Sequence, residues 1–399
     1  MARTPGRPSG PDGTTRPIVL LSMAAFCVAA TMRVADPMIP RVAAEFATTA
    51  GQAGTIVTTF TLAYGLCQLI YGPLGDRYGK FRLITLAMTL SGVVVAAGAV
   101  AGSMAELAVL RLAAGAITAA VIPLAMAHVG DMVPYDRRQA VLARFLSGQI
   151  LGVVFGQAAG GALIELAGWR AVFLTLGAVY GLVALLLWRE LASGRVRHAV
   201  DRRKGGVGRA MRQYTGMLAA RWPRIVLAAV FVEGFLFFGA LAFVGAFLHA
   251  RFALDFATIG LVLGCFGLGG LCYALSVRPV VAALGESGMV MAGGALLAVG
   301  FAALVWMPHW AGAAAAMAVI GFGFYMLHNT LQTNATQMAP EARGAGVSLF
   351  ALVFFLGQGV GVEVAGSVAD RFGFELVFLV VAAGLPLLGL AFARLRRRP

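Results

Sequence analysis

The chain has 399 residues, of which 60% are hydrophobic and only 12% are charged, and its formal net charge at pH 7 is +14. Soluble proteins carry about 25% charged residues, so this composition excludes an ordinary soluble protein and indicates a polytopic membrane protein. The basic excess does not indicate nucleic-acid binding, because the arginines are neither gathered on one amphipathic face nor interleaved with aromatic residues. The four cysteines lie inside apolar runs without metal-ligand spacing, which predicts packing residues: Cys27, Cys67, Cys265 and Cys272.

The first 17 residues are rich in Pro, Gly, Thr and Arg, which predicts a disordered cytoplasmic tail at 1–17. The alternative is a cleaved signal peptide, but the apolar run 18–40 is longer than the core of a signal peptide and lacks a clear cleavage site. We therefore expect a retained first helix. A membrane helix needs about 20 mostly apolar residues. Twelve such runs follow one another: 18–40, 53–72, 83–102, 107–128, 141–164, 170–188, 225–247, 259–277, 289–307, 311–330, 346–369 and 374–393.

The distribution of Lys and Arg predicts the orientation of these helices. When the loops are assigned alternately to the two sides, 25 of the 31 basic residues fall on one side. Because basic loops stay in the cytoplasm, both termini are predicted to be cytoplasmic, which requires an even number of helices and agrees with twelve. The sequence thus predicts a multi-pass protein of the inner (cytoplasmic) membrane, in direct contact with the lipid bilayer.

The chain also repeats itself with an offset of about 205 residues. The matching positions pair Gly152 with Gly357, Gly156 with Gly361, Gly161 with Gly366, Gly168 with Gly373, Phe60 with Phe266 and Gly79 with Gly285. A repeat of this size predicts two pseudo-symmetric six-helix bundles. We expect an N-terminal bundle at 18–189, a basic cytoplasmic linker at 190–223 and a C-terminal bundle with a short basic tail at 224–399.

A short charged segment, 72–82 (GPLGDRYGKFR), lies between the second and third predicted helices. Its glycines allow a tight turn, and its charged side chains must stay at the membrane surface. Asp131, at the cytoplasmic end of the fourth helix, is expected to pair with Arg77 or Arg82. These residues form the predicted conformational gate: Gly72, Asp76, Arg77, Gly79, Lys80, Arg82 and Asp131.

Two segments carry a resemblance to a known family. Segment 72–82 resembles the helix 2 to helix 3 signature of the major facilitator superfamily, Gly-x-x-x-Asp-Arg-x-Gly-Arg-x-Arg, with Lys80 where arginine is usual. The fifth helix has glycines about four residues apart, which predicts close helix packing at Gly152, Gly156, Gly160 and Gly161. It resembles the antiporter motif Gly-x-x-x-Gly-Pro-x-x-Gly-Gly, but Gln157 replaces the proline, which leaves the direction of transport open.

This resemblance implies an all-α membrane protein with twelve transmembrane helices that transports by alternating access. It further implies that Asp76 and Arg77, with Asp131, latch the two bundles together in the outward-facing state. Within the superfamily, the chain resembles the bacterial drug, sugar and nucleoside exporters through the Asp36-Pro-x-x-Pro40 run and the stretch 331–343.

Ionisable residues inside the apolar runs are candidates for proton coupling or for the substrate cavity. Arg33 and Asp36 are three residues apart and can neutralise each other on one helix face, although an interfacial position is an equal alternative. Arg111 resembles the helix 4 arginine of the proton-coupled branch of the superfamily. Glu233, about nine residues into its helix, approaches the middle of the membrane, whereas Glu363 lies nearer a helix end and could instead make a structural hydrogen bond.

The tenth predicted helix ends in an unusually polar run, 328–334 (HNTLQTN), which is expected to face the cavity or the cytoplasmic vestibule. His328 could exchange a proton near neutral pH, or it could be a hydrogen-bonded structural residue. Its neighbour Asn329 belongs to the same candidate set, together with Gln157. Gln332 and Asn334 could bind polar substrate groups or satisfy the end of the helix.

The sequence therefore predicts proton-coupled efflux of a small organic molecule by a protein that acts as a monomer, without a cofactor or nucleic-acid partner. Proton-coupled uptake is the first alternative. A scaffold or receptor that keeps the fold without transport is the second. An enzyme is not expected, because the sequence has no phosphate-binding Gly-x-x-x-x-Gly-Lys-Ser/Thr loop, no clustered histidines and no visible nucleophile–base pair.

Overall fold

The computed structural model describes residues 12–133, 135–194, 207–338 and 343–396, and nearly all of them are helical. The helices are α1 (Asp12–Arg33), α2 (Ala35–Glu45), α3 (Ala50–Ala53), α4 (Thr55–Tyr78), α5 (Lys80–Ala97), α6 (Met104–Thr118), α7 (Val121–Met132), α8 (Tyr135–Ala192), α9 (Val207–Ala219), α10 (Arg221–Glu233), α11 (Gly239–Leu241), α12 (Val244–Phe252), α13 (Phe256–Trp306), α14 (Ala311–Ala335), α15 (Arg343–Phe372) and α16 (Phe374–Arg396). A π-helical turn, Gly234–Phe238, joins α10 to α11.

The predicted tail and the predicted linker can be compared with the structure only in part, because some of their residues lie outside the described ranges. The predicted tail 1–17 lies partly outside the described residues. Helix α1 already begins at Asp12, so the last residues of this predicted tail are helical. The predicted linker 190–223 is also described only in part, and it contains a helix of its own, α9. Tyr214 and Met217 of α9 are buried, and α9 packs against α15.

Ten helical segments of the described chain are long and apolar enough to cross a membrane. Two of them, Arg144–Ala192 and Phe256–Trp306, have 49 and 51 residues. Each is long enough to cross twice, because one crossing needs about 20 residues. Each also contains one glycine with a non-helical backbone, Gly168 and Gly285. Division at these glycines would give twelve crossings, and that number stays a prediction.

The backbone repeats itself in the two halves of the chain. Three pairs of residues with positive φ are separated by 206, 206 and 205 residues: Ala47 (48°) with Ala253 (50°), Gly79 (92°) with Gly285 (60°), and Gly168 (79°) with Gly373 (88°). Positive φ is uncommon outside glycine, so agreement at three pairs indicates equivalent turns. At Gly79 this conformation lets α4 turn into α5 without any intervening loop.

The glycines of α8 pack against two different partners. Gly152 and Gly156 lie against the backbone of α1 at Phe26 and Ala30, and Gly160 lies against Val34. Gly161 instead lies against the backbone of Phe256, at the start of α13 in the other half. One stripe of small residues therefore packs the N-terminal half internally and also joins it to the C-terminal half.

Successive helices turn alternately at two ends of the molecule. We call the end with the turns at Gly79 and Gly285 and the last residues of α8 and α16 the basic end, and the opposite end, with Glu45, Gly168 and Gly373, the distal end. The halves pack together through α3 and α4 against α15, and through α8 against α13. Within the part of the chain that the structure describes, every hydrogen bond between the halves lies between the distal end and Thr58, which donates to the carbonyl of Gly359 at 3.4 Å.

Candidate functional site

A buried polar cluster lies in the middle of the N-terminal half. Arg33 Nη1 is 3.5 Å from Asp36 Oδ2, and Gln157 Nε2 donates to the same oxygen at 3.3 Å. Arg33 is only 5% exposed and Asp36 is fully buried, so this pair lies inside the protein and not on its surface. Gln157 supplies a hydrogen-bond donor that the proline of the antiporter motif could not supply. Asp36 thus explains why glutamine can stand at this position.

Arg111 connects two helices to this cluster from α6. Its Nε donates to the carbonyl of Ile56 in α4, and its Nη1 donates to the carbonyl of Thr31 in α1, each at 3.0 Å. Its guanidinium lies 4.2 Å from the centre of the Phe60 ring. The planar group holds two helices at once, a role that lysine could not fill with the same geometry.

The C-terminal half contains a buried acid–histidine pair. His328 Nδ1 lies 2.9 Å from Glu233 Oε2. Glu233 is fully buried, and its Oε1 has no hydrogen-bond partner among the described residues. The ring of Phe324 stacks on His328 at 5.1 Å between centroids, and the Phe354 ring lies 4.7 Å away. The site can therefore hold one or two protons in apolar surroundings.

The pairing of Glu233 with His328 was missed by the sequence reasoning, which considered each residue separately. The two are 95 residues apart, and no local spacing links them. The sequence offered one signal, which is that both residues are ionisable and both lie inside apolar runs. The π-helical turn Gly234–Phe238 begins directly after Glu233, and such turns often occur at functional sites.

Arg33 also contacts the other half. Its guanidinium lies 4.4 Å from the centre of the Phe238 ring, which belongs to the π-helical turn beside Glu233. The ring of Tyr64 lies edge-on to Phe355 at 4.8 Å. The two buried clusters are therefore joined across the centre of the molecule by ring contacts.

Other predicted site residues lie apart from these clusters. Glu363 has apolar neighbours, as expected, but it is exposed and not buried, and it lines a groove of about 200 Å³ with Val364, Val368 and Phe372 as well as Ser367 and Arg371. Asn329 is half-buried. Asn334 Nδ2 donates to Glu286 Oε2 at 3.2 Å.

Among the described residues, no group of three or more His, Cys, Asp or Glu side chains could hold a metal ion.

The predicted gate has a different central residue from the one expected. Lys80 Nζ lies 3.2 Å from Asp76 Oδ1 and 2.5 Å from Asp131 Oδ2. The expected partners of Asp131, Arg77 and Arg82, are both exposed, and Arg77 lies over the Tyr78 ring instead. All three members of this cluster belong to the N-terminal half, so in this conformation it does not latch the bundles together. Gly72 is exposed, and no atom would contact a side chain added there.

Comparison with known proteins gives the family. A family profile described as Major Facilitator Superfamily matches residues 21–362. The chain belongs to this superfamily. The resemblance inferred from segment 72–82 is thereby confirmed, and the protein is a membrane transporter and not an enzyme.

Several relatives share most of the chain. A putative uncharacterized transporter, YgaY of Escherichia coli K12, is 28% identical over 92% of each chain. The multidrug efflux protein YfmO of Bacillus subtilis is 25% identical over 90% of this chain and 88% of its own. The fold is similar to that of an inward-facing, occupied bacterial homologue of the lysosomal transporter Spinster, with TM-score 0.75, 18% identity and coverage of 96% of each chain. It is also similar to that of the nucleoside transporter NupG, with TM-score 0.73, 12% identity and coverage of 96% of this chain and 99% of the other.

Proposed function

We propose that this protein is a secondary active transporter that exports a small organic molecule from a bacterial cell in exchange for protons. It works as a monomer with bundles at 18–189 and 224–399 joined by the linker 190–223, and its basic end and both termini face the cytoplasm. The observation that carries the proposal is the buried Glu233–His328 pair, which can exchange a proton in the middle of the C-terminal half. The similarity to the efflux protein YfmO favours export over uptake.

The contacts between the halves support alternating access. They are concentrated from the distal end to the centre, where Arg33 meets Phe238 and Tyr64 meets Phe355. Separation at the basic end with closure at the distal end corresponds to an inward-facing state, from which a cytoplasmic substrate can enter. The opposite state requires these distal contacts to break, because both ends cannot be open together in a coupled transporter.

The chemistry of coupling follows from the charges at the two buried clusters. When Glu233 has lost its proton and His328 has gained one, the two form a buried ion pair that attracts them together. When the pair takes up a further proton, Glu233 becomes neutral while His328 keeps its charge, so that attraction is lost and α10 and α14 are held less tightly. A proton taken up or released here therefore changes the contact between these two helices beside the interface with Arg33.

The experiment starts by finding the substrate. Metabolites in medium and cells are compared between a strain that overexpresses the protein and a deletion strain, and the compound that accumulates in the medium is then used in liposomes. We expect its uphill movement to follow an imposed pH gradient and to stop with a protonophore. A requirement for sodium, or unchanged flux without the gradient, would contradict proton coupling. Two strains with identical metabolites would favour the scaffold or receptor.

The role of Glu233 is tested with Glu233→Gln. Glutamine keeps the shape and the hydrogen bonding of the side chain but cannot release a proton. We expect pH-driven transport to be lost while exchange of labelled for unlabelled substrate is retained. Glu363→Gln is the matched control, because it makes the same change at an exposed position and should transport like the wild type. Uphill transport by Glu233→Gln at the wild-type rate would show that the proton is carried elsewhere.

A further inference from the structure

Two carboxylates join the halves at the distal end. Asp370, in the last turn of α15, accepts hydrogen bonds from Thr49 Oγ1 at 2.6 Å and from the backbone N–H of Gly51 at 3.0 Å. Gly51 lies in α3, which continues through Gly54 into α4 as one apolar segment, Ala50–Tyr78. A carboxylate of the C-terminal half thus caps the first long helix that follows α2 in the N-terminal half.

The second carboxylate makes the same contact in the opposite direction. Glu165, in α8, accepts a hydrogen bond through Oε2 from the backbone N–H of Phe256 at 2.9 Å. Phe256 is the first residue of α13. Glu165 and Asp370 are 205 residues apart, and so are the two N–H groups of Gly51 and Phe256. The internal repeat therefore places one carboxylate of each half on a helix start of the other half.

A glycine one turn earlier brings each carboxylate within reach. Gly161 and Gly366 lie four residues before Glu165 and Asp370. A side chain at Gly161 would collide with the carbonyl of Phe256, and one at Gly366 would come within 3.0 Å of the backbone of Gly51. The first N–H groups of a helix have no partner within the helix and carry a partial positive charge, so a carboxylate there is stabilising.

We propose that Glu165 and Asp370 are positioning residues of the transport cycle, which form a two-part clasp between the halves and favour the state with a closed distal end. This inference rests on the alternating access proposed above. Both hydrogen bonds cross the interface that must separate when the distal end opens, so both are lost in one movement. Both carboxylates are exposed to solvent, and water can replace their partners. The clasp therefore shifts the equilibrium toward the closed distal end without preventing the distal end from opening.

The expected size of the bias follows from the exposure of the two groups. A carboxylate at an exposed helix start contributes enough to change an equilibrium by about twofold to fivefold. The two contacts lie at separate crossings, so their effects on the equilibrium should multiply. Loss of both carboxylates should increase the ratio of open to closed distal ends by about four- to twenty-five-fold.

The test measures the opening of the distal end directly. Spin labels are placed at Ala44 and Ala250, two exposed equivalent positions near the ends of α2 and α12, in a protein whose native cysteines have been replaced. Distances are measured in lipid nanodiscs by electron paramagnetic resonance. We expect Asp370→Asn and Glu165→Gln each to increase the ratio of the long-distance to the short-distance population, and the double variant to increase that ratio by the product of the two factors, with unchanged thermal midpoints.

A matched control separates the clasp from a general loss of charge. Glu106 caps a backbone N–H at the same end, that of Gly102, at 2.8 Å, but entirely within the N-terminal half. Glu106→Gln should leave the distances unchanged. Gly366→Ala tests the same crossing without a change of charge, and it should also open the distal end because the added carbon meets Gly51.

The inference is wrong if the clasp variants keep the wild-type distances, or if Glu106→Gln shifts them equally. The measurement does not depend on transport, so it distinguishes this inference from the proposed function. Opening without any proton-driven transport would support the clasp and contradict the coupling. Proton-driven transport with unchanged distances in the clasp variants would support the coupling and contradict the clasp.

Discussion

The buried carboxylates of the two halves have different neighbours. In the N-terminal half, Asp36 lies beside Arg33, receives a hydrogen bond from Gln157 and interacts electrostatically with Arg111. In the C-terminal half, Glu233 has His328 as its partner, with phenylalanine rings around the histidine. Arginine stays protonated in proteins, whereas histidine can gain or lose its proton near neutral pH.

This difference predicts different tasks for the two buried sites. Arg33 and Arg111 stay positively charged, and their charge is balanced by a negative charge on Asp36. We therefore expect Asp36, Arg33 and Arg111 to keep the same contacts throughout the transport cycle and to form a fixed framework. A carboxylate beside a histidine has no such constraint, so we expect the Glu233–His328 pair to carry the proton. Breaking the framework should therefore cost stability, whereas neutralising Glu233 should mainly cost coupling.

The largest effect is expected from Arg111→Met. It removes the side-chain hydrogen bonds to the carbonyls of Thr31 and Ile56 and a buried positive charge near Asp36. Removal of one member of a buried charged network typically costs about 3–5 kcal/mol. We expect a strongly lowered midpoint of thermal unfolding in detergent, whereas Glu233→Gln should change it little because glutamine fills the same volume.

Arg111→Lys sharpens this test. It keeps the charge, but a single ammonium cannot reproduce the planar arrangement that reaches both carbonyls, so an intermediate midpoint is expected. If Arg111→Met melts like the wild type, or if Glu233→Gln is the less stable of the two, the N-terminal cluster is not a framework and the contrast between the halves is lost.

The fold and part of the site could be predicted from the sequence because the signals are local. Long apolar runs indicate membrane helices, and the three-residue spacing of Arg33 and Asp36 places them on one face. Glu233 with His328, and Gln157 with Asp36, are 95 and 121 residues apart, so only tertiary packing brings them together.

The exposure of Glu363 could not be predicted for a related reason. Its helix, α15, is apolar around most of its surface, so the pattern does not tell which side faces the interior. The clasp was also missed, although the sequence contains a signal for it. Gly161 and Glu165 recur as Gly366 and Asp370 with the same four-residue spacing, and the offset is that of the internal repeat.

A medium effect is expected at the basic end, where the halves carry opposite charges at equivalent places. Lys80 pairs with Asp76 and Asp131, whereas Glu286, 206 residues later, pairs with Arg396 at 2.7 Å. Partly exposed pairs contribute up to about 1 kcal/mol, which corresponds to about a fivefold change in an equilibrium. We expect Asp76→Asn to reduce transport by about this factor, with normal membrane insertion on immunoblots.

Glu286→Gln is the counterpart of this variant in the other half. If both clusters hold their own half in shape, it should reduce transport to a similar extent. Lys80→Arg should retain transport, because arginine can still bridge two carboxylates. Wild-type flux in Asp76→Asn would show that the charge cluster at the basic end does not act in the cycle.

The smallest effect is expected at the distal end, where another pair of equivalent positions differs in charge. Glu45 ends α2 and accepts hydrogen bonds from Arg170 and from the Trp169 indole, the latter at 2.5 Å. Arg251, 206 residues later, donates instead to the carbonyls of Val305 and Met307, at 2.5 and 3.2 Å. Burial raises the pKa of Glu45, but the hydrogen bonds from Arg170 and Trp169 outweigh this effect and hold the pKa below its ordinary value of 4.5.

The direction of the pH dependence follows from this lowered pKa. A carboxyl group whose pKa is lower in the folded state stabilises the fold fully above its unfolded pKa, and this stabilisation is lost as the pH falls through the folded pKa. Glu45→Gln should therefore lower the thermal midpoint slightly at pH 7, and the difference from wild type should vanish as the pH falls below the ordinary pKa of 4.5 and through the lowered pKa of Glu45. Arg251→Gln is the matched variant in the other half. Its side chain stays charged throughout this range and bonds to carbonyls that do not titrate, so its small destabilisation should be the same at pH 7 and pH 3. If both variants show the same pH profile, the acid sensitivity of the distal end does not come from Glu45.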